Sequence, residues 1–156
     1  MRIAIAEAHK SSAEGGVAIG AVIIHEVSGR LIATGRSLVQ VKHDPTSHAE
    51  VNCIRQATSI VNSPDLYEYT LYSTLEPCHM CLSAAAWAKI PRIYFGAYRK
   101  DVDSTLFDVR NGPGDEAEAN KMNLREHRHM RAVGGVLEAE CASLLKGYHA
   151  KYRHTR

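Results

Sequence analysis

The chain has 156 residues, a length that one hydrophobic core accommodates, and its 45% apolar and 23% charged residues are the balance of a globular domain. No apolar run approaches the roughly 18 residues of a membrane helix, and the opening MRIAIAEAHKSSAEGG lacks the long apolar stretch of a secretion signal. The expectation is therefore a single cytoplasmic domain over residues 1–156, with no membrane contact. The net charge of +2 excludes a strongly polyionic protein, but eight Lys and Arg stand against three Glu from Lys121 to Arg156. That tail reads first as a solvated helix face and second as a contact for phosphate backbones.

Ile3, Ile5, Ala6 and Ala8 among Arg2, Glu7 and Lys10 predict a helix over residues 2–13, stopped at Gly15 and Gly16. GAVIIHE (20–26) and LIATGRS (31–37) are apolar and β-branched, and the VSGR between them carries a turn glycine, so they predict a hairpin. From Ser47, the residues Val51, Ile54, Ala57, Thr58 and Val61 recur at helical spacing. Thr46 or Ser47 is the predicted cap, which puts His48 and Glu50 in the first turn. After the break at Asn62-Ser-Pro-Asp65, YTLYSTL (69–75) predicts a strand ending at Glu76-Pro77. Residues 78–89, rich in Ala and Leu and stopped by Pro91, predict a helix whose amino end holds Cys78 and Cys81. RIYFGAY (92–98) predicts another strand, residues 99–114 a loop carrying Phe107 and Asp108, and residues 115–131 and 138–152 helices, with a short strand in AVGGVLEA between them. Helices alternating with strands after a hairpin favour a three-layer α/β/α domain.

A Cys-x-x-Cys at a helix start aims two sulfurs at one point, and the helix amino end lowers thiol pKa, so the pair suits zinc. Four cysteines without a secretion signal favour thiols or metal ligation over a disulfide framework. His48, also at a helix start, supplies a nitrogen. Three protein ligands leave one position for solvent, which distinguishes catalytic from structural zinc. Glu50, two residues after His48, is the candidate proton shuttle, taking a proton from that solvent and returning it to a ring nitrogen and a departing amine. The competing readings are a redox pair, or a structural zinc closed by His43, His79, Cys53 or Cys141. The bland assignments are a helix-surface role for His79, an exposed helix for His127 and His129, and core packing for Cys53 and Cys141.

His-x-Glu followed by Pro-Cys-x-x-Cys is the signature of zinc deaminases, present here as HAE and PCHMC. Together with GAVII, DPTSHAEV, LYSTLEPCHMC and IYFGA, it makes residues 15–98 resemble the cytidine and nucleobase deaminase superfamily. The resemblance implies a mixed sheet of about five strands between helices, Zn2+ held at two helix starts by His48, Cys78 and Cys81, and hydrolytic release of ammonia.

For the substrate, Trp87-Ala88-Lys89 and the later Phe107-Asp108 look like guanine deaminases. Val109, however, stands where those relatives carry an aspartate that contacts the guanine edge, and Ser37 stands where base deaminases usually have asparagine. The resemblance implies a small aminoheterocycle substrate, purine-like before pyrimidine-like. Ser37 would make a polar contact, Trp87 and Phe107 would wall the pocket, and Asp108 would accept from the ring edge. Second in rank is a wobble-adenosine tRNA deaminase, which shares DPTxHAE and LEPCxMC and has the basic tail in its favour. Third is another amino-substituted heterocycle, a pterin, a triazine or cytosine. Analogy with the guanine branch further implies a homodimer and a lid residue at Tyr148 or Tyr152.

Overall fold

The computed structural model describes residues 1–101 and 130–146. The elements run α1 (Arg2–Ala13), β1 (Gly20–His25), β2 (Leu31–Arg36), α2 (Val39–Lys42), α3 (Ala49–Val61), β3 (Tyr69–Leu75), α4 (His79–Trp87), β4 (Arg92–Ala97), a 3-10 turn (Arg99–Asp101), β5 (Arg131–Val133) and α5 (Glu138–Lys146). The five strands form one sheet in the order β2-β1-β3-β4-β5. The first three are antiparallel neighbours, and β3, β4 and β5 pair in parallel. This is the mixed α/β sheet that the family resemblance implies.

The hairpin forms because Gly29 adopts φ 65° at its tip, where a side chain would strain the backbone, and its N–H donates to His25 O at 2.9 Å. Helices pack on both faces of the sheet, and two glycines let them approach. A Cβ on Gly20 would stand 2.0 Å from Ala4 O of α1, and one on Gly35 would stand 2.2 Å from Ala49 O of α3. Gly20 pairs with Arg36 and Ala21 with Gly35, so the two glycines lie on opposite faces of the pleat, and α1 and α3 cover opposite sides. Under α3 and α4, Ala21, Ile23, Cys53, Ile54, Leu71, Leu82, Ile93 and Phe95 form the main core. Under α1 and α5, Val17, Leu75, Ala97, Cys141 and Leu145 form a second cluster.

Several boundaries differ from the sequence-based expectation. The cap of α3 is His48 itself, in extended conformation with no side-chain cap bond, rather than Thr46 or Ser47. Asp44 explains this: its Oδ1 accepts from the Thr46 N–H at 2.8 Å and from the Thr46 hydroxyl at 2.7 Å, which closes a turn before the helix starts. Ser47 Oγ is turned to Asn52 Oδ1 at 3.2 Å. The short helix α2 has no counterpart in the expectation, because four residues carry no periodicity. The predicted helix 115–131 overshoots, since Arg131 opens β5, and the expected short strand forms at the start of AVGGVLEA, over Arg131–Val133. Residues 115–129, Phe107, Asp108, Val109, His127, His129, Tyr148 and Tyr152 lie outside the described residues. No helix among the described residues is long and apolar enough to cross a membrane.

Candidate metal centre and active-site cleft

Parallel strands deliver their carboxyl ends to one edge of the sheet, and the following helices start there, so ligands gather where helix amino ends converge. His48 caps α3 with ψ 155° and Cys78 caps α4 with ψ 170°. An N-cap residue stands half outside its helix, which leaves both side chains free to project from the helix ends. Cys81 lies in the first turn of α4, buried. His48 Nδ1 is 3.6 Å from Cys78 Sγ and 3.5 Å from Cys81 Sγ, and the two sulfurs are 3.5 Å apart. Among the described residues these three side chains form the group able to hold a metal.

The donor set fits zinc. Bonds of about 2.3 Å to sulfur and 2.0–2.1 Å to nitrogen in a tetrahedron require donor–donor edges of about 3.5–3.8 Å, which is the spacing found. His43 is exposed on the turn before the cleft, Cys53 donates to Ala33 O at 3.5 Å inside the core, and Cys141 packs against Gly96. None of them joins the group, and the cysteines are free thiols.

Electrostatics prepare the same three side chains. The Cys81 thiol donates to Cys78, and with His48 and the Cys81 backbone N–H it holds the Cys78 thiol down at about 3, against the opposing effect of burial. Cys81 is pushed up by that same hydrogen bond and by burial, so one thiolate is shared across the pair. His48 is raised by its bond to Cys78 and by the field of Glu50, against burial and Arg99.

Glu50 is 4% exposed, in the first turn of α3. Its Oε1 accepts from Ser73 Oγ at 3.1 Å, and its Oε2 lies 3.5 Å from Cys81 Sγ. Burial, then the Cys78 thiolate, raise its pKa, which brings a carboxyl closer to the range where it can both accept and return a proton.

A cleft of about 160 Å³ opens over these groups, lined by Ser37, Gln40, His48, Glu50, Glu76, Cys78 and Arg99 with apolar walls from Val17, Ile19, Val39 and Leu75. Ser37 lies in its wall, held by donation of its N–H to Ile19 O at 3.0 Å. Trp87 does not: it closes α4 at the end away from Cys78, 80% exposed, at the far end of a nine-residue helix about 13 Å long. Within the single chain, the expected pocket wall at Trp87 is therefore not part of the cleft lining. Sequence reasoning missed Gln40, Glu76, Ser73 and Arg99. Glu76 is 2% exposed and its Oε2 accepts from the Arg99 N–H at 2.9 Å, tying the 3-10 turn to the strand end beside Cys78. A glutamate directly before Pro-Cys was the available signal.

Comparison with known proteins agrees with this geometry. Residues 1–97 match the cytidine and deoxycytidylate deaminase zinc-binding region. A tRNA-specific adenosine deaminase of Bacillus subtilis is 33% identical over 98% of this chain and 88% of its own length. A chloroplastic tRNA(adenine(34)) deaminase of Arabidopsis thaliana is 36% identical over 95% of this chain, which spans only 12% of that much longer relative. A guanine deaminase of Bacillus subtilis is 39% identical over a shorter stretch, 57% of this chain and 56% of its own. Among solved structures, one from a study of A-to-I editing by tRNA:A34 deaminases superposes with TM-score 0.76 at 32% identity, covering 93% of this chain and 97% of that one. A guanine deaminase from Nitrosomonas europaea superposes with TM-score 0.83 at 25% identity, covering 96% and 82%. With the metal-binding triad in place at two helix starts and the family match spanning the residues that build it, the chain belongs to the cytidine and deoxycytidylate deaminase family of zinc-dependent hydrolytic enzymes.

Proposed function

We propose that the chain deaminates adenosine to inosine within RNA, at a wobble-type position of a tRNA anticodon loop, with Glu50 as proton shuttle. The observation that carries this reading is end-to-end similarity. The relative matched over 98% of this chain and 88% of its own length is a tRNA-specific adenosine deaminase, whereas the guanine deaminase match stops at 57% of the chain. This reading, ranked second on sequence, takes precedence over a guanine-type free base.

His48 Nδ1, Cys78 and Cys81 would hold the zinc, which when bound there would supply the Lewis acidity that makes solvent nucleophilic near neutral pH. Glu50 accepts a proton as solvent oxygen bonds to C6 of the adenine ring and delivers it to N1. It then carries the second solvent proton to the exocyclic amine, and the C6–N6 bond breaks to release ammonia and leave the oxo base. Ser73, donating to Oε1, keeps Oε2 turned toward the metal side. Ser37 and Gln40 supply polar contacts to the base, while Val17, Ile19 and Leu75 exclude water from its faces.

The free-base purine reading is the alternative, favoured by the guanine deaminase superposition at TM-score 0.83. The deciding experiment compares inosine formation in an anticodon stem-loop with ammonia release from guanine, adenine, cytosine, pterins and aminotriazines, using the zinc-loaded protein. The proposal expects inosine in the stem-loop and a Glu50→Gln variant that keeps its zinc but loses 10²–10⁴-fold in kcat, the range general acid–base catalysis supplies. Turnover of a free base without inosine formation overturns the substrate. A Glu50→Gln variant as active as the parent overturns the shuttle. The expected homodimer belongs to this proposal: the indole of Trp87, exposed on α4, supplies apolar surface for a second copy, and sedimentation at micromolar concentration tests it.

A further inference from the structure

An RNA strand with one base in the cleft must route its phosphates over the rim, and the rim is not electrically uniform. The short helix α2 separates the cleft from a second groove. Val39 and Gln40 face the cleft, while Leu38 and Lys42 face a groove completed by Arg36 and Thr34 of β2 and Asn52 and Arg55 of α3. The lining of that groove carries three cations and no carboxylate. Arg36 is committed elsewhere, donating to Glu14 from Nε and Nη2 at 2.8 Å each and lying 3.3 Å from Glu7. Lys42 and Arg55 are exposed, and neither is in an ion pair among the described residues. Both cations act on Asp44. Its carboxylate is taken up by the Thr46 N–H and hydroxyl, which hold its pKa low, and the fields of Arg55 and Lys42 lower it further.

We infer that this groove carries the sugar-phosphate backbone of single-stranded RNA as it leaves the cleft, with Lys42 and Arg55 each neutralising one phosphate. The inference rests on the RNA reading above and adds where the strand lies. A groove that places two exposed cations beside the Gln56 amide, whose oxygen is taken by the Thr34 N–H so that its nitrogen is the donor on offer, suits an anionic, hydrogen-bond-accepting backbone rather than an apolar partner. Only the four residues of α2 stand between it and the cleft, Leu38 and Lys42 lining the groove and Val39 and Gln40 the cleft, so the strand that enters one is the natural occupant of the other.

The test is equilibrium binding of an anticodon stem-loop RNA to the full zinc-loaded chain between 50 and 200 mM salt. It uses the parent, the Lys42→Gln/Arg55→Gln double variant and, as an off-groove control, Arg30→Gln. All three substituted side chains are exposed, and thermal melts verify folding. Each phosphate contact on a single strand contributes about 0.7 to the log–log salt slope. The double variant is therefore expected to have a slope shallower by about 1.4, losing about sevenfold less affinity over that range than the parent, while Arg30→Gln tracks the parent. Equal slopes for the double variant and the parent, with inosine still formed, overturn the groove assignment and leave the RNA reading standing. A parent that neither binds nor edits RNA overturns both. A poly-glutamate peptide that binds with the same Lys42- and Arg55-dependent slope reassigns the groove to an acidic protein and overturns the RNA occupant.

Discussion

Gly35 is the point where sheet, helix and chemistry meet, so replacing it with alanine tests whether the helix start on β2 sets the geometry of the site. A Cβ there would lie 2.2 Å from Ala49 O, 2.6 Å from Cys53 N and 2.7 Å from Cys53 Cβ. Ordinary contact needs about 3.4 Å, so α3 must retreat from β2 by on the order of 1 Å, and two of the three clashing atoms are backbone that no rotamer can relieve. Overpacking of this kind costs about 1–3 kcal/mol, and the backbone clash puts Gly35→Ala at the upper end. For a chain of this size, about 3 kcal/mol corresponds to a fall of roughly 6–12 °C in Tm. Ala49 sits between His48 and Glu50, so a shift of about 1 Å there also displaces a metal ligand and the shuttle, which is enough to lower kcat by about 10²-fold. Thermal melts, zinc content and single-turnover rates read the three effects. A Gly35→Ala protein that melts within 2 °C of the parent and keeps its rate would refute the argument that close approach of α3 to β2 holds the site together.

Ser73 is fully buried and its hydroxyl donates to Glu50 Oε1, so Ser73→Ala should lower kcat about tenfold through a wandering carboxylate, with zinc content unchanged; an unaltered kcat removes Ser73 from the mechanism. Zinc loading of the metal-free protein at pH 7 should release between about one and two protons, because Cys78 is already a thiolate while Cys81 keeps its proton and His48 is held above its ordinary value. Titration in weak buffer with a pH indicator reads this directly, and no release contradicts the shared-thiolate picture. Arg92 donates to both oxygens of Glu26, and this bond, with help from Thr70, holds Glu26 below the usual carboxylate range. A folded pKa below the unfolded one stabilises above the unfolded value and is lost as pH falls through the folded one. The gap in urea midpoint between the parent and Arg92→Gln should therefore stay constant above about pH 5.5 and narrow toward pH 3; a gap that widens in acid contradicts the pairing.

What the sequence determined by itself were the features written in short-range pattern. The alternation of GAVIIH and LIATGR, the helical spacing after Ser47 and the apolar YTLYSTL mark their elements because each buries one face of a periodic segment. His-x-Glu and Pro-Cys-x-x-Cys name the zinc ligands and the carboxylate because metal and proton chemistry demand those residue types at those spacings. Three-dimensional packing decided the rest. Trp87 has a sequence position that resembles a pocket wall, but the length of α4 carries it to the far end of the helix. Arg99, Gln40 and Ser73 are unremarkable in sequence; Ser73 reaches Glu50, and Arg99 and Gln40 line the cleft over it, only because β3, β4 and α2 converge there. The choice between Thr46, Ser47 and His48 as cap turned on which hydrogen bonds Asp44 had already claimed. The same holds for the groove beside α2: Arg36, Lys42 and Arg55 lie on three elements, and only the packing of α3 against β2 gathers their charge along one edge of the cleft.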